Sequence, residues 1–181
     1  MKRGQLLKQY YIFVKDKEWQ KAKTILIELI EKNNKGFWFY TNLSSVYFEL
    51  KEYENALKYS EIAYSIKPES PLVLWDHAGS LLMLKRKAEA INLYKKILAM
   101  GDLEIAYERT QEGLKWTYSL KNDSNFRIAE CYYFLEDFNL ALEFIQIHLQ
   151  KRKRGQMSLY SKRDANKLFK VILQMHNTIS S

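Results

Sequence analysis

Three observations predict that the 181-residue chain is all-α, a solenoid of stacked antiparallel helix pairs. Two prolines and six glycines in the whole length leave few breaks for helices. No short runs rich in Val, Ile or Thr stand between turn signals, so strands have no foothold. Alanine also recurs at one point of a helical pattern in four segments, "EWQKAKTILIELI", "KEYENALKYSEIAYSI", "KRKAEAINLYKKIL" and "EDFNLALEFIQIHL", at Ala22, Ala56, Ala90 and Ala141. The first three are 34 residues apart. Self-similarity at that period marks helix-turn-helix units that bury their apolar faces only by stacking.

The repeats are placed at 3–36, 37–70, 71–102 and 122–154, in one domain spanning 1–181. Repeat 2 shows the logic in "KEYENALKYSEIAYSIKPES", residues 51–70, where Ala56 and Ala63 lie seven apart on one side of a helix. Small side chains there let another helix approach closely. Pro68 then stops the helix, since it lacks an N–H and clashes with the preceding turn. The step from Ala90 to Ala141 is 51 residues, one repeat plus a further 17. The segment 103–120 is therefore read as an inserted helix with Leu103, Ala106, Tyr107, Leu114 and Leu120 on its buried side and Trp116 as a candidate surface aromatic. Residues 155–176 hold a basic segment and a terminal capping helix, with Ser161 and Asp164 as its start and Ala165, Leu168, Phe169 and Ile172 as its apolar stripe.

With repeats starting at Arg3, Phe37, Pro71 and Asn122, the eighth place reads Tyr10, Ser44, Ala78 and Ala129, and the eleventh reads Phe13, Tyr47, Leu81 and Tyr132. The seventeenth reads Trp19, Tyr53, Lys87 and Phe138, and the twentieth is alanine throughout. This pattern resembles the tetratricopeptide repeat family, with Tyr10 and Lys87 as departures. The resemblance implies a right-handed solenoid whose first helices, one per repeat, line a concave groove for a protein segment or peptide. It further implies contacts from Tyr11, Trp38, Thr41, Asn42, Ser45, Phe48, Trp75, Gly79, Phe126, Glu130 and Tyr133, an aromatic and apolar set. Leu7, Val14, Leu72 and Leu82 map to the same face, and of these Leu7 and Leu82 suit the core. The subfamily that clamps chaperone tails uses Lys, Asn and Arg at five slots; here Asn42 is the match, and Asp76 would repel a carboxylate. An apolar groove is closer to the repeat chaperones that hold hydrophobic segments, so the expectation is a scaffold, adaptor or chaperone-like protein. The same groove suits the terminal segment of a second copy.

Enzymatic chemistry finds no support in the sequence. His77, His148 and His176 are far apart and lack metal-ligand spacing with cysteine or carboxylate. His77 and His148 fall at positions packed between helices, which predicts satisfied core histidines. No glycine-rich loop precedes Lys-Ser or Lys-Thr, so no nucleotide phosphate cradle is expected, and no cofactor. The single cysteine, Cys131, sits in the apolar run "IAECYYFL" and reads as a small buried hydrophobe.

Charge supplies the competing function. From Lys151 to Lys170 eight basic residues face Asp164 alone, so this stretch carries all but one unit of the net charge of +8. Lys151, Arg152, Lys153, Arg154, Lys162 and Arg163 form the candidate basic patch, able to neutralise phosphates of nucleic acid or an anionic surface. A third expectation is an immunity-type protein that binds a toxin, with an acidic partner favoured over a basic one. The first apolar run is too short and polar for a secretory core or a transmembrane segment, and cytoplasmic residence is the expectation.

Overall fold

The computed structural model describes residues 2–32, 35–108 and 113–180. Among these residues there are ten helices and no strand. The chain divides into two compact units, Met1–Lys85 and Arg86–Ser181.

The first unit holds α1 (Arg3–Lys15), α2 (Trp19–Glu31), α3 (Phe37–Glu49), α4 (Tyr53–Ile66) and α5 (Pro71–Met83). Each helix packs on the next, and α3 also meets α5. Leu6, Leu26, Leu29 and Leu43 are fully buried in one core with Tyr10, Val46 and Tyr47. Ala22, Ala56 and Ala63 have no exposed surface. At Ala56 the approach is close enough for the buried Ser44 hydroxyl of α3 to donate to the Ala56 carbonyl of α4 at 2.8 Å. Lys67, just before Pro68, has φ −144° and ψ 76°, outside the helical region, so α4 ends where the proline demands. Pro71 then occupies the first position of α5, where its missing N–H costs nothing.

Each turn after a first helix uses a left-handed residue that is not glycine: Lys17 (φ 56°), Lys51 (φ 61°), Lys85 (φ 64°) and, in the second unit, Glu136 (φ 62°). The turn at Lys51 is a Schellman closure, with the Glu52 amide donating to the Tyr47 carbonyl at 3.0 Å and the Lys51 amide to Phe48 at 2.9 Å. Since left-handed backbone crowds a Cβ, Lys51→Gly is expected to raise stability by roughly 0.5–1 kcal/mol. Urea melts of the two proteins give the difference.

The second unit holds α6 (Lys87–Ala99), α7 (Asp102–Ala106), α8 (Gly113–Phe134), α9 (Phe138–Lys153) and α10 (Lys162–Ser180). Helix α8 packs on α6, α7 and α9, and α9 on α10. Ala90, Ala129, Ala141, Ala165, Ile145 and Ile172 are fully buried. The start of α10 follows the sequence reading: the Asp164 amide donates to Ser161 Oγ at 3.1 Å, and Ser161 Oγ donates to Asp164 Oδ2 at 2.6 Å.

The inserted segment is organised differently from the expected single helix over 103–120. A five-residue helix, α7, comes first, and the later part runs without a break into the first helix of repeat 4 as the 22-residue α8. The expected boundary between 120 and 122 runs into Asn122-Asp123-Ser124-Asn125, yet all four residues are buried and helical. Ser124 Oγ and Asn125 Nδ2 donate to the carbonyls of Leu120 and Lys121, four residues back, which keeps these side chains from opening a turn. Ala106 and Leu120 are buried as expected, whereas Leu103 and Tyr107 are 63% and 70% exposed and Leu114 is exposed. Residues 109–112, within the expected helix, lie outside the described residues. Lys121 ties α7 to α8 through the Met100 carbonyl (2.6 Å) and Asp102 Oδ1 (2.5 Å).

Candidate binding surfaces

In the first unit an aromatic and polar row crosses α1, α3 and α5. Tyr11 is 57% exposed, its ring 5.3 Å from Tyr10 and 6.3 Å from Trp38. Trp38 is half-buried and meets Tyr10 (5.9 Å) and Phe39 (5.0 Å) edge-on. The Tyr10 hydroxyl donates to Asn42 Oδ1 at 2.8 Å while Asn42 Nδ2 donates to the Trp38 carbonyl at 2.7 Å, so both polar groups are committed. Burial, with smaller contributions from Tyr11 and Asp76, raises the Tyr10 pKa well above its ordinary value. Tyr10 departs from the small residue of the family pattern yet is only 4% exposed.

Farther along the row, Ser45 Oγ of α3 donates to Asp76 Oδ2 of α5 at 2.7 Å. Burial pushes the Asp76 carboxyl up to about 7, and the Ser45 hydrogen bond offsets only part of that. Phe48 is half-buried with its ring edge-on to Tyr53 at 5.4 Å, and Trp75 and Gly79 are half-buried on α5. Thr41 is buried and donates to the Phe37 carbonyl, so it belongs to the packing. Tyr10 and Asp76 were absent from the expected contact set. A lone carboxylate next to Trp75 in the otherwise uncharged first helix of repeat 3 was the signal.

In the second unit the chain covers its own first-helix face. The connection from α9 to α10 brings Tyr160 onto Phe126, ring centroids 4.0 Å apart and 13° from parallel. The Leu159 amide donates to Asp123 Oδ2 at 3.0 Å, and the Arg127 guanidinium lies 5.1 Å over the Tyr160 ring. Burial pushes Tyr160 up to about 12, with Arg127 opposing. Phe126 is therefore buried, and Glu130 accepts from Arg127 Nη1 at 2.7 Å. Tyr133 stays half-buried between Phe134 and Phe138. The aromatic at 160 lies outside the repeat frame, so the frame gave no hint of this cover.

The basic residues surround a cleft between α9 and α10 of about 580 Å³, lined by Gln146, Leu149, Gln150, Arg152, Lys153, Lys162, Asn166 and Phe169. Arg152 Nη1 donates to the Gln156 carbonyl at 2.7 Å. Lys151 is partly buried, and burial first and Lys121 second hold its pKa below the usual lysine value. Arg154 and Arg163 are exposed and do not line the cleft.

His77 and His148 are core residues: His77 Nδ1 meets Ser60 Oγ and His148 Nδ1 meets the Asn122 carbonyl, each at 2.9 Å. Cys131 is fully buried, and burial first, then Glu130, pushes its thiol up to about 12. Among the described residues no three His, Cys, Asp or Glu side chains are grouped to hold a metal ion, and no helix is long and apolar enough to cross a membrane.

The tetratricopeptide repeat family model matches residues 39–70, which span most of α3, all of α4 and the turn to α5. No curated protein matches the sequence. Among solved structures, a crystal structure of MamA protein shares 12% identity and superposes with a TM-score of 0.63, covering 98% of this chain and 95% of that one. MamA 41-end from Desulfovibrio magneticus RS-1 shares 11% identity with the same TM-score, covering 98% and 97%. These neighbours share the fold of stacked helix pairs, and the matched segment 39–70 carries a tetratricopeptide repeat within it.

Proposed function

We propose that this protein is a non-enzymatic interaction scaffold whose first unit binds a segment of a protein partner on the face formed by α1, α3 and α5. The observation that carries the reading is the pair Tyr11 and Trp38, an exposed ring leaning on a half-buried one beside the polar groups of Asn42 and Ser45. Large aromatic side chains bury much area with few rotors to freeze, which is why they anchor interfaces. The corresponding face of the second unit already receives the chain's own Leu159-Tyr160, so the described open surface of this kind is in the first unit.

The test is selection of short random peptides displayed on phage against the wild-type protein. Peptides enriched on the wild type are expected to lose at least about tenfold in affinity for Tyr11→Ala. They should keep their affinity for a variant with Lys151, Arg152, Lys153 and Arg154 reversed in charge. Enriched peptides indifferent to Tyr11 and Trp38 would place the function elsewhere.

A second reading, contact with nucleic acid or an anionic surface, is favoured by the cleft that gathers Arg152, Lys153 and Lys162 over Leu149 and Phe169. Binding of a single-stranded RNA homopolymer that weakens steeply with added salt and disappears in the charge-reversed variant supports it; salt-insensitive or absent binding removes it.

A further inference from the structure

We infer that the first unit selects partner segments carrying a lysine or arginine, whose cation is received by the Asp76 carboxylate, on the first-helix row that also carries the Tyr11–Trp38 aromatic pair. This rests on the surface proposed above and adds the chemistry of the occupant.

Asp76 differs from the paired acidic groups of its unit in being half-buried without a cation among the described residues. Glu18, Glu28 and Glu52 each hold a lysine, at 2.8, 2.6 and 3.0 Å from Lys21, Lys32 and Lys23. Asp76 has no ion pair among the described residues, although thirteen Lys and Arg occur in residues 1–85. Its side chain has one hydrogen-bond donor, Ser45, which serves Oδ2. The Tyr10 hydroxyl is engaged with Asn42 instead.

A carboxylate withdrawn from water without a cation is costly, and a cation brought by a partner supplies the missing compensation. The aromatic rings of the same row suit a segment with such a cation, because the aliphatic stem of Lys or Arg packs along aromatic faces and its charge is attracted to them. The second unit shows a related arrangement in cis: Asp123 accepts the Leu159 amide while Tyr160 stacks on Phe126. There a carboxylate of a first helix and an aromatic ring together seat an incoming strand of chain. At Asp76, with only a hydroxyl beside it, the complementary group is a cation, and a segment rich in Asp or Glu is repelled.

The experiment uses the full chain and the same displayed peptides, selected in parallel on wild type and Asp76→Asn, a change that keeps the volume and the Ser45 acceptor. Lys or Arg is expected to be enriched at one position on the wild type and not on Asp76→Asn. A synthetic selected peptide should bind wild type about tenfold more tightly than its Lys→Gln counterpart, and Asp76→Asn should erase that preference while retaining the Tyr11 dependence. Thermal melts establish that the variant is folded. Tyr11-dependent peptides without a basic residue, or a basic preference that survives Asp76→Asn, overturn this inference and leave the binding surface standing. Absence of any Tyr11-dependent peptide overturns both.

Discussion

Ala56→Leu is expected to destabilise the first unit by about 3 kcal/mol or more, near the top of the range for overpacking a filled core. Ala56 has no exposed surface, and its carbonyl accepts from the buried Ser44 hydroxyl at 2.8 Å. A leucine branch would have to push α3 away, stretching that bond and opening the packing around Leu43 and Tyr47. Ala88→Leu is the matched control, because Ala88 is exposed on α6 two residues from buried Ala90. Its effect should stay within about 0.5 kcal/mol. Urea unfolding checks both: a lower midpoint at constant slope for Ala56→Leu alone is the expected result. Equal midpoints for Ala56→Leu and wild type would mean that the small side chain is not a packing requirement.

Asp76→Asn is expected to stabilise the protein in a pH-dependent way. Burial raises the folded-state pKa of Asp76 to about 7 from an ordinary 3.8. Between these values the folded chain holds a proton that the unfolded chain has released, so wild-type stability from this group falls as pH rises from about 4 to 7. Asparagine cannot ionise. Its advantage should be near zero at pH 4, grow through that window and level off above pH 7 at about 2 kcal/mol, a value moderated by the water that still reaches the side chain. Melting temperatures of both proteins across pH 4–8 check this. A pH-independent offset would assign the gain to shape instead of charge.

Both predictions trace back to the sequence, but to different depths. The four alanines that set the repeat frame are all fully buried, and so are Ser44, Ala78 and Ala129 at the eighth place. The reason is local: a helix places each residue on a known side, and a small side chain matters only where another helix touches. Pro68 and the Ser161–Asp164 start were legible for the same reason, because they act within a few residues of themselves. The left-handed turn positions were not. Lys17, Lys51, Lys85 and Glu136 carry no glycine signal, and it is the hydrogen bonds of the preceding helix end that hold them at positive φ.

The site followed a similar division. That Tyr11, Trp38, Asn42 and Ser45 belong to one surface follows from the repeat frame, since equivalent places of stacked helices point the same way. Their polar commitments did not follow from it: Asn42 is held between Tyr10 and the Trp38 carbonyl, and Ser45 by Asp76. Thr41 and Phe126 occupy groove places yet are buried, the second because Tyr160 stacks on it. The break expected near residue 121 vanished into α8 because buried side chains bonded back to helix carbonyls.

The 34-residue spacing, the small residues within it and the scarcity of helix breakers determined by themselves that this protein is made of stacked helix pairs. Tertiary structure alone decided that the half-buried Asp76 has no ion pair among the described residues and which aromatic face the chain covers with its own Tyr160. Periodic burial is a property of one helix and its side, whereas the state of a charge or the covering of a ring depends on what distant segments bring to it.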